Sequence, residues 1–553
     1  MKIEADELIS YQESLSEDRS IWERTWQDII DYTLPNRAPV IGEDSPGQDR
    51  SIDIYDSTAS NSTVRLAAAL NSMLTNPQSQ WFLLETTNEA LNKESEVKIW
   101  LDALTKVVRK QMDLSNFYSA IHELYLDLCS IGTGTLYMEQ DADPDKELNF
   151  SARHIREIFV AENHQGRIDQ VFRKFKMTAR QMQQRWGNLI SSDAQAAAIS
   201  EPNSEYEILH CCFPREDANP TSALPEEARF ASVWIEIDSR HIIREGGYRT
   251  FPYTVPRWFK STGEKYGRSP ALTVLGDIKS LNDMTKTMMR TGQKVADPPI
   301  MVPDDGFFNI DTDPGGISYY RSGTNDRIVP LDVGNRLPIT FQQVQEKREQ
   351  IADAYFTTQL QIIDKSRMTA EEVRARMNEN MRILGPTIGR LQDEFLDMLI
   401  TRVLDILRFS FDRMGQPILP IPPEIVMQTL GTNDLKVRYI SPMSKAQKTT
   451  DIQSINYYVA TMSSWAGNGF PQVLDNVDID DAARLIADFS GVPNEILKDE
   501  RAVAAQRKQR AEEAQNKAKQ EQRAAGADQM ASVGGAVRDI SEAQQLRGEA
   551  NAA

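Results

Sequence analysis

The spacing of apolar residues changes twice along this chain, and that change limits the fold more than any other feature. Up to about residue 130, apolar side chains recur every three or four positions. From about 131 to 260 they alternate, and from 269 the helical spacing returns. A period near 3.6 and a period of 2 come from different elements. The chain is therefore read as α+β and predominantly helical, with an antiparallel-strand region set between helical ones.

Within the first part, Ile21, Trp22, Trp26, Ile29 and Ile30 recur at helical spacing until Pro35-Asn36-Arg37 breaks the pattern. Residues 57–75 predict a second helix. Residues 93–128 predict two more, with a break near Ser115-Asn116. The alternating part predicts strands in TGTLYMEQ, EYEILHCCF and ARFASVWIEIDSRHIIREGGYRTFPYTV. REIFVAENHQGRIDQVFRKF reads as a hairpin turning at Asn163-His164-Gln165-Gly166. One helix, roughly Ala179 to Ile190, interrupts these strands.

At 269 a helix starts on clear chemistry. Ser269 suits the N-cap and Pro270 the first helical position. Val274, Ile278, Leu281 and Met288 carry its apolar stripe until Pro298-Pro299. Residues 299–337 are turn-rich, and a second helix is predicted over about Thr340 to Leu360. After a short connection, Thr369 and Glu372 form a capping box. Met377, Met381, Leu384, Ile388, Leu391, Phe395 and Met398 then make a heptad-like seam. Gly385-Pro386 lies in its middle and predicts a kink, because proline removes a helix hydrogen bond. This helix is predicted to end near Met414-Gly415. A Pro-rich stretch and a strand (LKVRYIS) follow, then helices at about 449–465 and 479–489. The tail from about 500 has no apolar stripe and reads as a solvated helix or as disorder.

Several functions are disfavoured. The acidic, polar start does not look like a secretion signal. Leu396 to Phe411 is the most apolar long stretch, but it contains Asp397, Arg402, Asp405 and Arg408, so no membrane span is expected. A chain working in a cytoplasm, or in something assembled there, is the expectation. Cys129, Cys211 and Cys212 form no C-x-x-C pair, and adjacent Cys211 and Cys212 read as small residues on opposite faces of a strand. There is no phosphate-cradling G-x-x-x-x-G-K-[ST]. Gly132-Thr133-Gly134 lacks the third glycine of a dinucleotide fingerprint. His122-Glu123 has Leu126 where a second zinc-binding histidine would stand. Asp141, Asp143 and Asp145 start like a calcium loop that Lys146 and Ala152 then spoil. No catalytic residue, cofactor or metal is expected.

A net charge of −19 argues against a general DNA clamp, whose affinity comes largely from neutralising phosphates. One local exception stands out. Arg257 to Ala296 holds eight basic and three acidic residues, a net of +5. Lys279, Lys286, Arg290 and Lys294 are spaced by seven, four and four, which puts them on one helix face. Spacing alone leaves two readings open, a solvated helix face or, in a closed ring, stacked circles of positive charge around an axis. Lys365 and Arg367, in the connection Gln361 to Met368, pose the same choice between an ordinary loop and one that protrudes into a channel.

The order of these parts resembles a known family. G-E-K-Y-G-R-S-P (263–270), L-G-D-I-K-S-L-N (275–282), a turn-rich insertion, a helix, then M-T-A-E-E-V-R (368–374) leading into a long helix with a central G-P, is similar to the head-to-tail connector (portal) proteins of short-tailed double-stranded DNA phages. W-Q-D-I-I-D-Y-T-L-P and the Thr58–Leu74 helix look similar too. The resemblance covers most of residues 1–500. It implies a ring of twelve subunits at a capsid vertex, acting as a channel for genome packaging and ejection. The implied parts are a wing (1–268), two stem helices (269–297 and 338–360), a clip between them (298–337) and a tunnel loop (361–368). A kinked helix with its return to the wing (369–439), a crown (440–500) and a polar tail (501–553) complete it. Implied partners are other copies of the chain, a terminase motor, a tail adaptor protein, capsid and scaffolding proteins, internal core proteins, and the DNA itself. Candidate channel residues are then Lys286, Arg290, Lys294, Lys365 and Arg367. Two other readings stay open on the residues alone: a virion scaffold or adaptor without a channel, and a metal-dependent nuclease.

Overall fold

A computed structural model describes residues 4–42, 47–141, 143, 146–219, 222, 224–296, 300–301, 329–330, 337–357, 383–411, 415–429, 435–440, 442–467, 470, 472, 476–490, 503–517 and 519. The chain divides into two compact units, one of residues 1–87 with 100–451 and one of 88–99 with 452–553. The fold is α+β and mostly helical.

In the larger unit, α1 (Ala5–Thr33) and α2 (Thr58–Leu74) open the chain. The α1 stripe is not quite the predicted one. Trp26, Ile29 and Ile30 are buried, whereas Ile21 is 82% exposed. Ile21 sits about 100° around the helix from Trp22, and Leu15, Arg19 and Trp22 continue the buried side instead. Strand β1 (Phe82–Thr86) precedes α3 (Ser95–Leu114) and α4 (Phe117–Ser130), which break at Ser115-Asn116 as the sequence predicts.

The alternating region forms β2 (Leu136–Gln140), β3 (Leu148–Ala152), β4 (Ile158–Glu162), β5 (Ile168–Thr178), β6 (Glu205–Pro214), β7 (Phe230–Glu236), β8 (His241–Tyr248) and the short β9 (Tyr253–Thr254). Five of them make one antiparallel sheet in the order β4-β5-β6-β7-β8, and β3-β2-β9 make a second. The hairpin turn is where the sequence puts it. The Asn163 carboxamide oxygen accepts from the Gln165 and Arg167 amides, and Gly166 takes φ +76. Between β5 and β6, the helix expected to reach Ile190 is shorter. α5 (Ala179–Trp186) stops before Gly187, and α6 (Ser192–Ser200) follows.

Both faces of the larger sheet are covered, which explains its unbroken apolar runs. On one face Phe172, Leu209, Cys211 and Val233 pack against Leu15 of α1. On the other, Ile208 and Trp234 meet Met182 and Trp186 of α5, while Val171 and Cys212 join Tyr137 and Tyr253 of the second sheet. Cys211 and Cys212 do point to opposite faces. His210 immediately precedes them in sequence and is fully buried. It stacks on Trp234 at 3.7 Å, and its ring nitrogens meet Tyr253 Oη at 2.8 Å and Ser232 Oγ at 3.0 Å.

Next come α7 (Pro270–Thr273) and α8 (Leu275–Ala296). The short strands β10 (Ile300–Met301) and β11 (Val329–Pro330) pair antiparallel. Helix α9 (Leu337–Ala354) packs on α8. It is interrupted after Ala354, where Phe356 takes φ +56, and residues 358–360 of the predicted span lie outside the described residues. The later helix runs from 383 through a π-helical turn at Gln392–Leu396 and then Asp397–Arg408. It closes at Arg408, short of the predicted Gly415, because Ser410 and Phe411 bridge back to Ile418 and Pro417. Downstream, β12 (Leu435–Tyr439) pairs with β1.

The π turn corrects the predicted seam. Leu384, Leu391 and Phe395 are buried as expected, but Met398 is only partly covered, and Leu396, Leu399, Ile400, Val403 and Leu407 are buried instead. One extra residue in a turn moves the apolar stripe on by one position. The predicted capping box (Thr369, Glu372), Met377, Met381, Pro298-Pro299 and the connection 361–368 lie outside the described residues.

In the smaller unit, helix Pro442–Gly467 continues past 452, and Ile479–Ser490 follows. Residues 503–517 are helical and almost entirely exposed, as the stripe-free sequence suggests. Among the described residues, no helix is long and apolar enough to cross a membrane.

Candidate functional site

Helix α8 leaves the strand region through a tight backbone crossing. Ser269 caps the short α7 that leads into it, its Oγ accepting from the Leu272 amide at 3.0 Å, with Pro270 in the first turn. Just before the cap, Gly267 passes Gly132 so closely that a Cβ on Gly267 would lie 2.2 Å from the Gly132 carbonyl oxygen. One on Gly132, at φ +93, would lie 2.5 Å from the Ser269 nitrogen. Only glycine permits that approach. The Gly267 amide donates to Thr133 Oγ1 at 2.8 Å, and the Trp258 amide to the Gly132 carbonyl at 2.9 Å. The Gly132-Thr133-Gly134 run is thus a structural crossing and not a nucleotide loop.

Beside the crossing, Arg257 is 1% exposed and closes a charge cluster. Its Nη1 pairs with Glu162, at the end of β4. Its Nη2 donates to Glu394 Oε1 at 2.7 Å and to the Gly166 carbonyl at 3.0 Å, and its Nε reaches Glu394 Oε2 at 3.2 Å. Lys260 Nζ donates to the same Glu162 at 2.6 Å. Burial works against the charge on Arg257, but the bonds and fields of Glu394 and Glu162 outweigh it and hold the guanidinium above its ordinary pKa. A buried pair is stable only when its remaining hydrogen-bonding groups are met, and here backbone carbonyls supply the rest.

The eight basic residues of 257–296 fall into two groups. Five have carboxylate partners: Arg257 and Lys260 as above, Lys265 with Asp18 at 2.7 Å, Arg268 with Glu264, and Lys279 with Asp28 on α1 at 2.7 Å. Three remain: Lys286, Arg290 and Lys294. None has a carboxylate partner among the described residues. Lys286 is half-buried, its Nζ 4.9 Å from the centre of the Tyr55 ring, while Arg290 and Lys294 are exposed. Four residues turn an α-helix about 40° past a full circle. The row therefore winds away from the buried side of α8 (Ile278, Leu281, Asn282, Thr285) as it rises.

Helix α9 presents a different surface. Gln342 and Gln345 donate to Glu346 and Glu349 at 3.0 and 3.1 Å along its exposed side. Lys347 pairs with Asp277 at 2.6 Å, and Arg348 with Asp56 at 2.8 Å. The α8–α9 pair thus shows one basic row and one glutamine–glutamate ladder.

The model of a family described as bacteriophage head to tail connecting protein matches residues 5–497. The chain belongs to that family. This connector is 29% identical over 539 residues to the probable portal protein of Bordetella phage BPP-1, with 95% of each chain covered. It is 28% identical over 523 residues to the portal protein of Salmonella phage epsilon15, with 92% of each covered. The protein is therefore the portal, or head–tail connector, of a phage capsid, a structural component at the head–tail junction.

Of the connector's candidate channel residues, Lys286, Arg290 and Lys294 stand together on the outer half of α8, and their predicted companion Lys279 is diverted to α1. Lys365 and Arg367 lie outside the described residues. Gly385 and Pro386 are exposed, close to where the described part of the later helix begins. The sequence reasoning missed Arg257, Glu162, Glu394, Gly132 and Gly267. One signal was present: Arg257 stands in the apolar run F-P-Y-T-V-P-R-W-F, and an arginine buried there has to find carboxylates.

Proposed function

We propose that the connector assembles as a closed ring, twelve subunits in number, that encircles the genome during packaging and ejection, and that Lys286, Arg290 and Lys294 face its channel. The observation that carries this reading is the division of charges along α8. Every cation near its base is neutralised internally, and the three that remain form a row about 12 Å long at the spacing of successive helical turns. In a ring, each member becomes a circle of positive charge that steers phosphates without a tight grip from any one subunit.

On this reading 269–297 and 338–360 are the stem, 298–337 the clip that docks a terminase motor and then a tail adaptor, and 361–368 a tunnel loop carrying Lys365 and Arg367. The wing would be 1–268 together with 369–439. The crown, 440–500, would face the capsid interior and its scaffolding or core proteins.

A second reading has an observation behind it. Glu346 and Glu349 of a neighbouring copy are exposed acids that could pair with the row. The Lys347–Asp277 pair, however, sets that part of α9 level with the first turn of α8, nine residues or about 13 Å short of Lys286. A closed ring relates its copies without a rise along the axis, so the ladder and the row stand at different heights when the helices run near the axis.

The test is a connector carrying Lys286→Ala, Arg290→Ala and Lys294→Ala, supplied to phage lacking its own copy. The channel reading expects normal rings by electron microscopy and particles with less DNA, or with DNA that escapes on storage. Failure to form rings favours the subunit-seam reading. Normal rings with full, stable genomes would sink the DNA role of the row. Lys365→Ala with Arg367→Ala tests the loop by the same readout.

A further inference from the structure

The π turn at Gln392–Leu396 and the Arg257 cluster meet at Glu394, and their meeting separates two unlike lengths of one helix. After the turn, Leu399, Ile400, Val403 and Leu407 are buried, Arg402 bonds Asp405 and Thr250, and Asp397 accepts from Tyr439 Oη at 2.5 Å. That part is pinned from several sides. Before the turn, over 383–391, only Leu384 and Leu391 are buried, and Ile383, Gly385 and Pro386 are exposed. Among the described residues, a Cβ on Gly385 or Gly389 would meet nothing within 4 Å. Arg390 buries its Nη1 with no partner among the described residues.

A π turn holds one residue more than an α turn, so passing from one to the other rotates the flanking segments by about 100° relative to each other. Glu394 sits inside the inserted turn, and both its carboxylate oxygens are held by Arg257. We propose that the turn is a register latch: while Arg257 holds Glu394 the π form persists, and release of that pair lets 383–391 rotate against the pinned 397–408 by about one residue. The latch is anchored just ahead of α7, which leads into α8, because Arg257 bridges to Thr133 and lies beside the Gly132–Gly267 crossing. A change at the base of α8 is thereby transmitted to the later helix, and the reverse. The proposal goes beyond the channel reading and does not depend on it.

The test is hydrogen exchange on the full-length connector, by peptide-resolved mass spectrometry. Glu394→Gln should speed exchange over 383–396 by about tenfold, with β5 and β6 unchanged. Equal acceleration in the helix and the sheet, or none in the helix, would overturn the latch. A second variant removes the extra residue by deleting Gln392, which turns the π turn into an α turn and keeps both flanks on their present faces. Adding Glu394→Gln to that deletion should then have little effect on 383–391. The same tenfold acceleration in the deletion background would show Glu394 to be an ordinary buried partner. A deletion variant that fails to fold would show that the α register is not open to this packing. Either result ends the proposal.

Discussion

The body behind the base of α8 and the outer half of that helix follow opposite rules, though one continuous chain makes both. In the body, each charge from Arg257 to Lys279 is answered by a partner elsewhere in the subunit, often from far along the sequence. From Lys286, which lies over the Tyr55 ring, cations recur at every fourth residue, and none has a carboxylate partner among the described residues. On the channel reading, the contrast separates charge that builds the subunit from charge that the subunit offers to DNA. A count of lysines and arginines cannot make that distinction, since the two groups adjoin in sequence.

The comparison breaks most visibly at Arg257. Arg257→Met leaves Glu162 and Glu394 without their main partner, and loss of one member of a buried pair typically costs about 3–5 kcal/mol. Denaturant unfolding should show a loss of that order. Acid is the next lever on the body. Burial, with the fields of Arg173, Arg185 and Arg153, holds His210 well below its ordinary pKa. The unfolded chain therefore binds the proton first, and stability falls as pH drops through about 6.5 toward the depressed folded value. Thermal unfolding between pH 7 and pH 5 should show this fall, and His210→Gln should flatten it.

Smaller effects sharpen the boundary. Ser269→Ala removes the cap of α7 and should cost about 1 kcal/mol by thermal unfolding. Lys279→Ala breaks a half-exposed pair with Asp28, for which less than about 1 kcal/mol is expected. Arg290→Ala with Lys294→Ala should lie within about 0.5 kcal/mol of the parent, because neither side chain holds the subunit together. A large destabilisation in that last variant would erase the distinction between the two halves of α8.

What the sequence makes legible follows the range of the interactions. The Ser269-Pro270 start, the Asn163–Gly166 turn, the break at Ser115-Asn116 and the opposed Cys211 and Cys212 depend on neighbours a few residues away, and they stand where the pattern puts them. Arg257 needs Glu162 and Glu394, which are 95 and 137 residues distant, and no local pattern announces them. The π turn hides for another reason. A heptad-like seam carried past Leu391 stays apolar whether the next core residue is Met398 or Leu399, so composition does not reveal an inserted residue. Lys279 shows the same limit at the candidate site: its spacing matches the row, and only packing against α1 removes it. The row itself was legible, because helical spacing is a local property.

The buried thiols bear on how the outer row can be studied. Cys129, Cys211 and Cys212 are the chain's whole complement of cysteine, all fully buried, and burial raises each thiol above its ordinary pKa. Such thiols react slowly with maleimides or spin labels. A cysteine placed at Arg290 or Lys294 would therefore be the one reactive thiol per subunit, with no need to strip the native ones. If the subunits assemble as the proposed ring, distances between such labels would read its bore, with every copy reporting from the same height.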